Sequence, residues 1–181
     1  DHEQVAIPDT IASRLRRQQP DYSSWLPVDS SSRGGGGAVT ILKVSMTKNG
    51  DVFKTVEPGE TIIVRMLVHA ARQLEQSIFG YTIKDRTGLA IFGENSVATL
   101  ASPPKLAPGF SVVTLELQWP EVVSQEYTIT LGIGEGDHPF DHTIQCWAHN
   151  VFSVTAMTPG RYVHGIFNNR LRSVLLDELG S

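Results

Sequence analysis

Between residues 39 and 154 the apolar residues keep falling at every second position, in runs that glycine, proline, asparagine and aspartate cut short. A period of two puts alternate side chains on opposite faces of an extended chain, so each run can bury one face as a strand. In 61–69, Ile62, Val64, Met66 and Val68 share one face, and Ile63, Arg65, Leu67 and His69 share the other. In 111–119, Val113, Leu115, Leu117 and Trp119 stand against Thr114, Glu116 and Gln118. In 125–133, Tyr127, Ile129, Leu131 and Ile133 are expected inward, with Thr128, Thr130 and Gly132 outward. Val39–Thr47 sets Leu42, Val44 and Met46 on one side, and a last core strand is expected over about 145–154. Asn49-Gly50-Asp51, Pro58-Gly59-Glu60 and Pro108-Gly109 supply the turn chemistry between them. About seven strands at this spacing predict an all-β fold, an antiparallel β-sandwich.

The best-defined local unit is 76–96, QSIFGYTIKDRTGLAIFGENS. Two runs of β-branched and aromatic residues flank Asp85-Arg86-Thr87-Gly88. Gly88 can take the positive φ a tight hairpin demands, and Asp85 can hydrogen-bond back into the turn. The wording of this hairpin, Phe79-Gly80-Tyr81-Thr82-Ile83-Lys84-Asp85, then Gly88, then Ile91-Phe92-Gly93-Glu94-Asn95-Ser96, resembles the Wzt-type C-terminal domain family. Pro108-Gly109 before a strand agrees in order and spacing. So does Tyr127-Thr128-Ile129-Thr130-Leu131-Gly132-Ile133, followed by a polar loop and Val151-Phe152-Ser153-Val154. The resemblance covers roughly residues 39 to 167. It implies an immunoglobulin-like sandwich that binds carbohydrate on a sheet face and is attached to the ATPase subunit of a polysaccharide (O-antigen) ABC exporter. It also implies that the terminal segment is exchanged between two chains, making the protein a homodimer.

Hydrophobic residues make up 40% and charged residues 19%, ordinary for a folded domain and too apolar for disorder. Nineteen acids against fifteen bases leave a net charge of −4, with no basic field to gather phosphates, so nucleic acid is not an expected partner. The single Cys146 has no internal disulfide partner and is expected buried and inert. No apolar run approaches the roughly 18 residues needed to span a bilayer. The first residues lack the grammar of a signal peptide and an initiator Met, which suggests a piece of a longer protein. No glycine-rich phosphate loop ending in Lys-Ser/Thr occurs, so an associated ATPase is expected elsewhere. The expected location is cytoplasmic, at the inner face of the bacterial inner membrane, in contact with a transporter's membrane subunit through the full-length protein.

Residues 1–37 read as a lead-in to the domain at 38–181. Asp9-Thr10 can cap a short helix over 11–18 with Arg14, Arg16 and Arg17 on one face, and Ser30-Ser31-Ser32-Arg33-Gly34-Gly35-Gly36-Gly37 has the composition of a flexible linker. At the other end, Tyr162-Val163-His164-Gly165-Ile166-Phe167 suits a final strand. Leu171, Val174, Leu175 and Leu179 form an apolar set in need of a partner surface, read here as a dimerisation element.

Catalysis is not expected. Asp137-His138-Pro139-Phe140-Asp141-His142, with His149 nearby, offers ligand types for a metal or an acid–base pair, but loop histidines and aspartates more often form turns. No Gly-x-Ser-x-Gly or His-Glu-x-x-His occurs, and neither a metal nor a cofactor is expected. Sugar recognition needs a flat aromatic face for the C–H side of a pyranose and planar polar groups for its hydroxyls. Strand positions off the core row offer Arg65, His69, Glu94, Asn95, Thr130, Trp147 and His149. Trp147 alternates with Gln145 and His149, whereas Trp119, Phe79 and Tyr81 fall in core rows. The expected function is non-catalytic recognition of the terminus of a lipid-linked O-antigen polysaccharide. Its rivals are an accessory glycan-binding domain of a sugar-modifying enzyme, such as a methyltransferase or glycosyltransferase, and a purely structural immunoglobulin-like module.

Overall fold

The alternating runs become strands in the computed structural model, which describes residues 21–138 and 140–168 together with Ser173 and Leu175. In chain order they are β1 (Leu26–Pro27), β2 (Arg33–Gly34), β3 (Val39–Thr47), β4 (Thr55–Val56) and β5 (Thr61–Ala70). β6 (Ser77–Asp85), β7 (Ala90–Asn95), β8 (Gly109–Gln118), β9 (Glu126–Glu135) and β10 (Thr143–Ala156) follow. Among the described residues the only helical pieces are three short 3-10 turns. A four-stranded sheet has the order β1-β3-β5-β8. A six-stranded sheet has the order β2-β10-β9-β6-β7, with the short β4 parallel to the end of β10. Every other pairing is antiparallel.

The two sheets meet through the rows the alternation marks. Ile62, Val64, Met66 and Val68 of β5 are fully buried, as are Leu131 and Ile133 of β9, with Tyr127 and Ile129 nearly so. Each large side chain so covered stabilises the fold by about 1.5–3 kcal/mol. Trp119 follows β8 into the core and packs edge-on between Phe92 and Tyr127. Cys146 points inward, and burial pushes its thiol above the ordinary range. The β6–β7 hairpin turns where expected. Gly88 sits at φ +86°, and the Asp85 carboxylate accepts from the backbone N–H of Thr87 (2.8 Å) and Leu89 (3.0 Å).

Three expectations are corrected. A bulge between Ile41 and Lys43 puts Ile41, rather than Leu42, in register with Val44 and Met46, and Leu42 is only half-buried. Residues 30–37 are docked rather than free. Gly34 lies opposite Trp147 and Arg33 opposite Ala148, Gly36 N–H donates to Ile144 O, and Gly37 N–H donates to Gln145 O, both at 2.9 Å. The glycines serve this close approach: a Cβ on Gly35 (φ +122°) would lie 2.9 Å from the Gln145 backbone, and one on Gly36 2.8 Å from its amide oxygen. Ahead of them, Trp25 and Val28 are buried, so the folded body begins before residue 38. Residues 162–167 are not a strand. Their ladder is one bridge between Phe167 and Val122, and Tyr162, Ile166 and Phe167 are 50–76% exposed. The helix expected over 11–18 and the residues Leu171, Val174 and Leu179 lie outside the described residues, while Leu175 is 89% exposed.

Candidate functional site

On the outer face of the six-stranded sheet one row of directly opposed residues runs Asn95, Gly80, Gly132, Trp147 and Gly34, across β7, β6, β9, β10 and β2. Opposed residues share a face, so the one large ring of this row is flanked by glycines. Trp147 accordingly leans over β9, where a Cβ on Gly132 would lie 2.6 Å from its Cζ3. The neighbouring row holds Ile78, Gly134 and Ile144. There the His142 ring covers Gly134, with Cδ2 2.6 Å from where a Cβ would stand. Glycine inside a strand often marks such an approach.

The result is a groove of about 640 Å³, within the size range of ligand clefts. Its floor is glycine backbone. Trp147, His142, Ile144 and the 92%-exposed Phe140 stand on one side, and Asn95 on the other, while Phe92 and Glu94 of β7 border the groove from the opposite face of that strand, paired with Ile83 and Tyr81. The loop carrying Phe140 and His142 is tied to itself: Phe140 N–H donates to His138 Nδ1 (3.2 Å), and His142 Nδ1 lies 3.1 Å from His138 O. Among the described residues no three His, Cys, Asp or Glu side chains converge to hold a metal ion. Below the groove, Glu135 receives Arg72 through both oxygens (2.9 and 2.7 Å) and Gln145 Nε2 at 3.1 Å. The guanidinium holds the Glu135 carboxyl below its ordinary range. Gln145 passes the contact on, its Oε1 accepting from Ala38 N–H at 3.3 Å.

Of the residues singled out from the sequence, Asn95 and Trp147 share this face and line the groove together, while Glu94 borders it from the other face of β7, opposite Tyr81. His149 is exposed beside it, stacked on Trp147 with centroids 6.0 Å apart and planes 18° apart. Asn95 Oδ1 accepts from Val97 N–H (3.1 Å), which anchors that end of β7. Burial raises the pKa of the Tyr81 hydroxyl, and the Glu94 carboxylate adds to the shift. Thr130 is 2% exposed and its Oγ1 accepts from Asn150 N–H (3.3 Å), so it serves the β10 bulge instead of the surface. Arg65 and His69 sit on β5, on the outer face of the other sheet. Arg65 stands between Ser45 and Thr114, and His69 packs on Phe110 with centroids 4.9 Å apart. They therefore share no site with Trp147 within one chain. His142, Phe140 and the glycine floor were not among the expected sugar-binding groups. Their signal was Gly132 and Gly134 alternating inside an otherwise β-branched strand.

No curated protein matches the chain. The crystal structure of a Wzt C-terminal domain superposes with a TM-score of 0.66 at 19% identity, covering 87% of this chain and 95% of that one, and shows the same fold. The solution structure of a CARDB domain from Pyrococcus furiosus aligns over 66% of this chain and 94% of its own, at 12% identity and a TM-score of 0.35, too slight to bear on the fold. The family model of the Wzt C-terminal domain matches residues 30–168, from the docked serine-glycine segment through the bridge at Phe167. The chain belongs to the Wzt C-terminal domain family.

Proposed function

We propose that this domain is a non-catalytic carbohydrate-binding module that recognises the terminus of a lipid-linked O-antigen polysaccharide for export by an ABC transporter. The carrying observation is the groove on the outer face of the six-stranded sheet, where Trp147 lies over glycine with Asn95 across from it and His142 over the neighbouring glycine. A pyranose presents an apolar C–H face and a rim of hydroxyls. The indole takes the first, while the Asn95 amide and the His142 ring take the second. Family membership supports the transporter setting: the domain works as a homodimer at the inner face of the inner membrane, and a bound glycan end lets the transporter's membrane subunit engage it. Titration of lipid-free O-polysaccharides into the domain tests the reading. Saturable binding to at least one of them is expected, lost in Trp147→Ala and kept in Arg65→Ala. No binding to any O-polysaccharide would end it.

A further inference from the structure

Resting on that glycan-binding reading, we propose that the groove has a fixed hydrogen-bond polarity: His142 Nε2 accepts from a free sugar hydroxyl, and Asn95 Nδ2 donates to a second sugar oxygen. Both side chains line the groove, and each is held at its far end by one backbone group. His142 Nδ1 lies 3.1 Å from the carbonyl oxygen of His138, which can only accept, so Nδ1 carries the ring proton. In the uncharged ring Nε2 is then left with its lone pair. The turn that offers this carbonyl is closed by Phe140 N–H, which donates to His138 Nδ1 at 3.2 Å. Asn95 is held in the opposite sense. Its Oδ1 accepts from Val97 N–H at 3.1 Å, a group that can only donate, so the amide is oriented and its two N–H donors are the end left over.

Both leftover ends are open. Among the described residues the buried side-chain nitrogens and oxygens without a partner are Ser77 Oγ and Trp119 Nε1, and neither His142 Nε2 nor Asn95 Nδ2 has a protein partner. The Cδ2–Nε2 edge of the ring lies nearest the glycine floor, with Nε2 3.2 Å from where a Cβ on Gly134 would stand. Asn95 lies across that floor, two glycines along the row from Trp147. A pyranose stacked on the indole between them meets a lone pair at one end and N–H donors at the other. Only a free hydroxyl serves the His142 end, because an ether, an ester or a fluorine has no proton to give. The Asn95 end asks for an acceptor and takes any of them.

Nitrogen NMR of the full chain reads half of this without any sugar: with its ring uncharged, His142 is expected as the Nδ1–H tautomer. The Nε2–H tautomer would overturn the inference and leave the glycan reading intact. The other half is read by titrating the methyl pyranosides of glucose, galactose and mannose, with their monodeoxy and monofluoro analogues, against the indole signal of Trp147. Loss of one hydroxyl is expected to weaken binding roughly two- to tenfold in wild type and not at all in His142→Leu, and fluorine at that carbon is expected to be as poor as hydrogen. Loss of a second oxygen is expected to matter in wild type and not in Asn95→Asp, which keeps the acceptor for Val97 N–H but has no donor. At that carbon fluorine should restore part of the affinity. Recovery by fluorine at the His142 end, or losses that persist unchanged in both variants, would overturn the polarity. Binding of O-polysaccharides but of no pyranoside would overturn this inference alone, and binding of neither would overturn the reading beneath it as well.

Discussion

Trp147 can lie across β9 because Gly132 has no Cβ, and this pair ties local geometry to recognition. Gly132 lies outside the left-handed region, so alanine there is free of that backbone strain, and the atoms nearest its methyl all belong to the indole. Gly132→Ala should therefore leave the thermal midpoint within a few degrees of wild type while tilting the ring and lowering glycan affinity about tenfold or more; tryptophan fluorescence and titration would report the two effects separately. Trp147→Ala removes the platform itself. Burial of a large side chain by a ligand contributes about 1.5–3 kcal/mol, so a tenfold to hundredfold loss is expected. A Trp147→Ala chain that unfolds would mark the side chain as core and move the site elsewhere. Strand alternation made the outward turn of Trp147 legible, along with the inward turn of Trp119. It could not place Arg65, because period two tells which way a side chain points from its own sheet and nothing about which outer face is grooved. Thr130 failed for another reason: it points outward as expected, yet the bulge at Asn150 covers it.

At the scale of elements, the glycine run shows how one composition serves opposite ends. A chain of glycines makes a slack linker in water, and it also makes the thinnest layer that can lie against another backbone. Gly35 and Gly36 do the second, and Gln145 and Glu135 hold them there. Gln145→Ala should speed hydrogen exchange at the amides of Gly36, Gly37 and Ala38 while leaving the centre of β9 protected. Glu135 gives this contact a pH dependence whose direction follows from its depressed folded-state value. Such a group contributes stability that is present above its unfolded value, about 4.3 for glutamate, and that is lost as pH falls through the lower folded value. Acid titration should loosen residues 36–38 in that window, and Glu135→Gln should remove that share of the acid response. The β6–β7 hairpin was the opposite case, legible because Asp85 and Gly88 have one local job each and both perform it. Residues 162–167 looked like a strand by composition but found no edge to pair with beyond Val122.

For the molecule as a whole, the pairing of two sheets was legible because each apolar row needs a second row to cover it. The opposed outer faces were not, since no local pattern orders the strands. If the tail joins two chains, the intact protein should sediment as a dimer, and removal of residues 169–181 should shift it toward monomer or aggregate; a wild type that stays monomeric at every concentration would end that idea. The row from Asn95 to Gly34 also has a mechanical reading. Gly34 is the direct neighbour of Trp147, so the chain entering from residue 30 is laced to the strand that forms the groove wall. A pull or a rotation applied at Gly34 crosses one ladder of backbone pairing before it reaches the indole. Held this way, the groove is less a passenger on a tether than a stiff link in a lever.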